Sequence, residues 1–176
     1  MSTFRALGAL GINSHRQLRA KRLMRPTKAN YTSFMDAALE EARLAAERGE
    51  VPVGAVIVHE GRVIARAGNR TRECNDPTAH AEIVAIRAAC DLLGSERLVD
   101  ADLYVTLEPC AMCAAAISFA RIRRLYFGAG DEKGGAVTNG ARFYSQPTCH
   151  HAPDVYPGIG EAEAAALLRR FFRQQR

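Results

Sequence analysis

Four residues in two short stretches have side chains that could build a metal centre. "NDPTAHAEIVAIRAAC" contains His80 and Glu82, and "LYVTLEPCAMC" contains Cys110 and Cys113. Taken singly, the cysteines fit a redox dithiol, and His80 fits an ordinary helix histidine. Thiolates and imidazoles are the ligands that zinc prefers, and a catalytic zinc site leaves one position open for water. The combination H-x-E followed by P-C-x-x-C therefore predicts a catalytic zinc site formed by His80, Cys110 and Cys113.

Glu82 lies two residues beyond a predicted ligand, where its carboxylate can reach the zinc-held water without binding the metal. It can take a proton from that water and return it to a leaving amine. Zinc lowers the pKa of water from about 15.7 to about 7, which makes hydroxide available at neutral pH. Attack on an amino-substituted ring carbon would release ammonia and leave a carbonyl. Glu82 is therefore the predicted catalytic residue.

Hydrophobic patterns predict the elements that must position these side chains. The predicted strands cover residues 53–58, 62–67, 102–107 and 123–129. The predicted helices run from a capping box at Ser33–Asp36 to Gly49, from a cap at Asp76 with Pro77 in first position to Gly94, over 110–120 and over 161–176. The second helix shows an apolar face made by Ile83, Ile86, Cys90 and Leu93. Alternating strands and helices indicate an α/β layered sheet.

Helix starts are suitable places for the predicted ligands. Cysteines three residues apart on a helix face the same way. The positive end of a helix favours thiolates and disfavours the imidazolium form of His80. Two helix starts that point at one spot would hold the ion where the strands end, a usual position for an α/β active site. A closed structural site would need a fourth ligand, for which the candidates are Cys74, Cys149, His150 and His151.

From about Thr32 to the C terminus, the chain resembles the bacterial tRNA-specific adenosine deaminase family of the cytidine/deoxycytidylate deaminase superfamily. The stretches that carry the resemblance are "EVPVGAV", "NDPTAHAE", "LYVTLEPCAMC", "RIRRLYFGA" and "LLRRFFR". The zinc signature itself is common to nucleobase deaminases, including guanine deaminases. The resemblance implies a three-layer α/β/α cytidine-deaminase-like fold with a five-stranded mixed sheet. It also implies one Zn²⁺ per subunit, a homodimer, and hydrolysis of adenosine to inosine at the wobble position of tRNA.

The family places His80, Cys110 and Cys113 on zinc and Glu82 as the proton shuttle. It also implies contacts to the RNA. These are the nucleotide pocket (Glu50, Val51, Asn69 and the backbones of Ala81 and Glu108), a loop beside the RNA (Asp131 and Lys133) and a C-terminal segment against the anticodon arm (Phe171, Phe172 and Arg173). One of the two phenylalanines is expected to anchor the last helix instead.

Composition and charge bound these predictions. The chain has 176 residues, enough for one domain, with 48% hydrophobic and 24% charged residues. No apolar run is long enough to cross a bilayer, and five cysteines without an export signal indicate reduced thiols in the cytoplasm. The first thirty residues contain seven Lys or Arg and no Asp or Glu. The other residues then have 17 basic and 19 acidic side chains, a net charge of −2.

The predicted organisation is a basic, poorly ordered arm over residues 1–30 and a zinc deaminase domain over 31–176. The arm could be a nucleic-acid-binding tail, an organellar transit peptide, or sequence before a true start at Met24. Two alternatives to the tRNA enzyme remain open, a free-base or nucleoside deaminase such as guanine deaminase, and a catalytically silent RNA-binding subunit. Glu82 argues against the silent subunit, and the aromatic-basic tail argues against a small-molecule enzyme.

Overall fold

Five strands form one mixed sheet in the computed structural model, which describes residues 33–175. The strands are β1 (Gly54–His59), β2 (Arg62–Gly68), β3 (Ala101–Leu107), β4 (Arg124–Ala129) and β5 (Asp154–Tyr156). Their order is β2-β1-β3-β4-β5, in which β1 is antiparallel to both neighbours and β3, β4 and β5 are parallel. The four predicted strands are confirmed. The predicted arm, residues 1–30, lies outside the described residues.

Four helices accompany the sheet. They are α1 (Phe34–Glu47), α2 (Ala81–Leu93), α3 (Ala111–Phe119) and α4 (Glu161–Gln174), and a short 3₁₀ turn covers Phe143–Ser145. Within the described part of the chain, no helix is long and apolar enough to span a membrane.

Two hydrophobic cores lie on opposite faces of the sheet, because successive side chains of a strand point in opposite directions. Ile57 of β1 packs in the core that includes Ala85 of α2 and Ala114 of α3. Its neighbour Val56 packs in the core that includes Leu39 of α1 and Leu167 of α4. The sheet therefore lies between two helical layers, which confirms the predicted three-layer α/β/α fold.

The start of α2 differs from the prediction. The helix begins at Ala81 with His80 as its N-cap, whereas Asp76 and Pro77 precede it in a turn. The Asp76 side chain instead accepts hydrogen bonds from the backbone N–H and the hydroxyl of Thr78, at 2.8 and 2.7 Å. The predicted apolar face is also shorter, because Leu93 is 41% exposed. The later start makes His80, and not Asp76, the N-cap of α2.

Other helix ends form as predicted. Ser33 and Asp36 make a reciprocal capping box at the start of α1, with bonds of 2.8 and 3.2 Å. Gly94 ends α2 with a φ of 64°, a left-handed conformation that glycine adopts without steric strain.

Candidate zinc site and active-site cavity

Two helix starts bring the three predicted zinc ligands together. His80 caps α2 and Cys110 caps α3, and Cys113 lies in the first turn of α3. His80 Nδ1 is 3.7 Å from Cys110 Sγ and 3.6 Å from Cys113 Sγ. The three ligand atoms lie within 4.8 Å of one another, and no other such group occurs among residues 33–175.

This spacing fits a zinc ion. Zn–S bonds of about 2.3 Å and Zn–N bonds of about 2.0 to 2.1 Å at tetrahedral angles place N and S about 3.5 Å apart. The observed distances of 3.6 and 3.7 Å agree with that value. Two thiols and one imidazole are also a zinc-type donor set, so the group fits one Zn²⁺.

The candidate fourth ligands are engaged elsewhere or lie outside the group. The Cys149 thiol contacts the His151 carbonyl at 3.1 Å, and His151 Nε2 lies 2.7 Å from the Ile122 carbonyl. Neither Cys74 nor His150 belongs to the ligand group that the described residues form. Three protein ligands with an open fourth position are typical of a catalytic zinc site.

Hydrogen bonding among the three ligands shapes their protonation. The bond from Cys113, followed by that with His80, lowers the pKa of Cys110 to about 4. The same bond and burial raise the pKa of Cys113. The Cys110 contact raises the pKa of His80, opposite to the direction expected from the helix start alone. The group thus shares protons that a bound dication would displace.

A cavity of about 190 Å³ adjoins these ligands. Its walls are formed by Val51, Val53, Asn69, His80, Glu82, Leu107, Glu108, Cys110 and Asp131. Glu82 is only 4% exposed, and this burial raises the pKa of its carboxyl group. Glu82 therefore lines the cavity beside the three zinc ligands and is not itself one of them. A larger cavity of about 290 Å³ lies elsewhere, between Phe127 and Glu161, and none of the three zinc ligands lines it.

The structure brings four of the predicted substrate-binding residues to the cavity, namely Val51, Asn69, Glu108 and Asp131. Ala81 is engaged indirectly, because its backbone N–H donates to Asn69 Oδ1 at 2.9 Å. This bond fixes the Asn69 side chain against the start of α2. A purine contact by the Ala81 backbone stays a prediction.

Glu50 does not line the cavity. It is 1% exposed, and its carboxylate accepts bonds from the Thr71 hydroxyl and from the backbone N–H groups of Arg72 and Glu73. These bonds hold the loop that connects Asn69 to α2. Glu50 therefore stabilises the loop next to Asn69 and does not itself form the wall of the predicted nucleotide pocket.

The Glu108 carboxylate also holds a neighbouring loop, the segment 131–139. It accepts six hydrogen bonds from the segment 131–139. Burial alone would raise its pKa, but donors from Asp131, Asn139 and Thr138 outweigh burial and lower the pKa to about 2. The sequence prediction concerned only the backbone of Glu108 and missed this side chain. The sequence did contain an indication of this role. Glu108 lies between the apolar strand residues and Pro109, and a buried charge requires hydrogen-bond partners.

The remaining predicted RNA contacts lie outside the cavity. Lys133 is exposed on the 131–139 segment, and Phe172 and Arg173 are exposed on α4, with Phe172 at 51%. Phe171 is only 6% exposed, which confirms that one of the two phenylalanines anchors the helix. Contacts of these exposed residues with RNA remain predictions.

Three arginines near β4 have partners within the chain. Arg123 makes a two-pronged ion pair with Asp102 at 2.9 and 3.0 Å, and Arg124 lies 4.0 Å from the same carboxylate. Arg121 donates to the His150 carbonyl at 3.1 Å. These contacts favour a structural role for the arginines over a phosphate-binding one.

Comparisons with known proteins agree with the site. The family model of the cytidine and deoxycytidylate deaminase zinc-binding region matches residues 28–129. The tRNA-specific adenosine deaminase of Agrobacterium fabrum is 72% identical over 148 residues, which cover 84% of this chain and 97% of that protein. A solved structure from a study of A-to-I editing by tRNA:A34 deaminases shares 72% identity at a TM-score of 0.77. The alignment covers 78% of this chain and 100% of the chain in that structure.

A guanine deaminase structure from Bacillus subtilis is a more distant match. It shares 34% identity at a TM-score of 0.56, and the alignment covers 81% of this chain and 94% of that one. The fold is thus common to enzymes with different substrates.

Proposed function

The chain belongs to the cytidine and deoxycytidylate deaminase zinc-binding family, and from that premise we propose that it hydrolyses adenosine to inosine at the wobble position of tRNA. One observation carries the substrate assignment. The 72% identity to a tRNA-specific adenosine deaminase extends over 97% of that protein, far beyond the zinc motifs that all such deaminases share.

The chemistry follows from the residues at the cavity. His80, Cys110 and Cys113 would hold a zinc ion, which would supply a Lewis acid that makes water nucleophilic at neutral pH. The Glu82 carboxylate takes a proton from the attacking water and delivers it to the amino group on C6 of adenine. The water oxygen bonds to C6, the C6–N bond breaks and ammonia leaves, and the second proton of the water passes to N1 of the ring, which gives the carbonyl of inosine. Burial of Glu82 favours this cycle because its raised pKa lets the carboxyl group hold the proton between the two transfers.

Neighbouring residues form the walls that would hold the base. Asn69 is fixed by the Ala81 N–H, which leaves its amide oriented at the cavity wall. Val51 and Leu107 supply apolar wall surface that favours a planar base. A wobble base lies in an unpaired loop, so extruding it into this cavity costs little.

RNA recognition is assigned to exposed residues away from the zinc. Phe172 and Arg173 on α4 and Lys133 on the 131–139 segment combine an aromatic face with positive charge. Such pairs suit stacking on bases and contact with phosphates. We assign them to the anticodon arm, and a tRNA substrate would be met in the cytoplasm.

A homodimer is part of the proposal. Exposed apolar side chains support it, namely Phe119 at the end of α3 (71% exposed), Leu93 at the end of α2 (41%) and Val99 in the turn before β3 (57%). Light scattering should give twice the chain mass of 19.2 kDa. A single-chain mass at micromolar concentration would argue against the dimer.

An anticodon stem-loop with adenosine at the wobble position tests the function. We expect inosine at that position and an equal amount of ammonia. A stem-loop with its only adenosine in the stem serves as the matched control and should stay unmodified. Inosine in the control, or none in the wobble substrate, would refute the assignment.

A further inference from the structure

The Glu108 side chain divides its hydrogen bonds between its two oxygens. Oε1 accepts from the backbone N–H groups of Val137, Thr138 and Asn139 at 3.1, 2.8 and 2.9 Å, and from the Thr138 hydroxyl at 3.1 Å. Oε2 accepts from the Asp131 N–H at 3.0 Å and from Asn139 Nδ2 at 2.6 Å. Glu108 itself is 2% exposed. One buried carboxylate thus holds both ends of the segment 131–139.

Close packing and backbone hydrogen bonds also hold this segment against the carboxylate. A Cβ atom at Gly135 would lie 2.5 Å from the Glu108 carboxyl carbon, so a side chain at this position would displace the carboxylate. Ala136 donates its N–H to the Pro109 carbonyl at 2.9 Å, and Gly135 forms a bridge with Cys110. The segment therefore lies directly along the chain that provides a proposed zinc ligand.

The segment contributes to the lining of two cavities. Asp131 lines the cavity beside the zinc ligands, whereas Thr138 lines the larger cavity of about 290 Å³. Its position therefore decides where one wall of the active-site cavity lies. Asp131 Oδ1 accepts from the N–H groups of Lys133 and Gly134, each at 3.0 Å, which stiffens the same end.

We propose that Glu108 is a positioning residue whose carboxylate fixes the segment 131–139 as a wall of the active-site cavity, and thereby sets where the target base is held. The inference rests on the proposed function for the identity of that base. It assigns the Glu108 side chain a task separate from any contact that its backbone makes. Because Glu108 lies two residues before Cys110, the wall and the metal site are built on the same strand end.

Glu108→Gln tests this with almost no change in shape. The Gln carbonyl can still accept the four bonds that Oε1 accepts. Its NH₂ group would face the Asp131 N–H and Asn139 Nδ2, which are both donors, so those two bonds are lost. Misplacing a reacting base by about 1 Å can lower turnover about 10²-fold. We expect kcat/KM for the stem-loop to fall on the order of tenfold or more per zinc-loaded protein, mainly through kcat.

Amide hydrogen exchange gives a readout of the wall itself. In Glu108→Gln, amides of the segment 131–139 should exchange about tenfold faster, while zinc content stays at the wild-type level. The double variant Glu108→Gln with Asn139→Asp restores an acceptor opposite the Gln NH₂ and should recover part of both the exchange protection and kcat. Glu132→Gln removes an exposed carboxylate from the same segment and should change neither.

Two results would contradict the inference. Unchanged exchange in the segment would show that the carboxylate does not hold it, and faster exchange with wild-type kcat/KM would show that the wall does not position the base. Either result overturns the inference. If Glu108→Gln fails to fold, Asn139→Ala, which removes one bond to Oε2, is judged by the same two readouts. Wild-type protein that deaminates guanine but not the stem-loop would refute the proposed function alone, and guanine would then replace the stem-loop in this test.

Discussion

At the scale of single residues, His80 and Glu82 share the start of α2 but have different proposed tasks. His80 Nδ1 lies 3.6 and 3.7 Å from the two thiols, whereas Glu82 is outside that three-atom group and lines the cavity. A proton shuttle is needed for turnover but not for holding the metal. The two tasks should therefore separate on substitution.

Glu82→Gln should retain zinc and lose deamination, with kcat reduced by about 10² to 10⁴. The amide fills the same space but cannot take a proton from water. Metal analysis and single-turnover inosine formation check the two effects separately. His80→Ala is the contrasting control and should lose both zinc and activity. A zinc-free Glu82→Gln protein would contradict the proposed division of tasks.

The ligands and Glu82 could be predicted from the sequence because their spacing is local and their chemistry is restrictive. The side-chain roles of Glu50 and Glu108 could not. Their partners lie 21 to 31 residues away along the chain, in loops whose path no local pattern specifies. A carboxylate in a stretch predicted to be buried indicates that hydrogen-bond donors must lie nearby, but only the fold shows which residues donate.

At the scale of elements, α4 presents two neighbouring phenylalanines to different surroundings. Phe171 is 6% exposed and packs inward, whereas Phe172 is 51% exposed. Adjacent helix positions lie about 100° apart, so one side chain can be buried while the other faces solvent. The pair gives a matched test of stability against RNA recognition.

Phe172→Ala should lower kcat/KM for the stem-loop about tenfold, through a lost stacking contact of about 1 to 3 kcal/mol, without changing the melting temperature. Phe171→Ala should instead lower the free energy of unfolding by about 3 to 5 kcal/mol. Thermal unfolding and stem-loop kinetics measure both. Equal stem-loop kinetics for wild type and Phe172→Ala would remove α4 from the proposed RNA surface.

Element boundaries show where pattern reasoning fails. Asp76 followed by Pro77 is typical of a helix start, but the Asp76 side chain satisfies Thr78 in a turn, and α2 begins four residues after Pro77. The three-residue strand β5 is too short to show alternation. It is located by pairing with β4 and by the stacking of Tyr156 on Tyr126, with ring centroids 4.7 Å apart.

At the scale of the whole molecule, the net charge of the domain limits how an RNA substrate could be bound. Residues 31–176 have a net charge of −2, so overall attraction does not hold an RNA to this part of the chain. Under the proposed function, localised contacts away from the zinc ligands would have to supply that binding. Binding energy from remote contacts serves to position the reacting base, so truncated substrates lose kcat as well as affinity.

The most direct measurement of the central claim is kcat/KM for the anticodon stem-loop, free adenosine and guanine with the same wild-type protein. We expect the stem-loop to be deaminated efficiently, while adenosine and guanine are nearly inert because they lack the remote contacts. Guanine turnover that exceeds stem-loop turnover would contradict the tRNA assignment and leave the zinc chemistry in place.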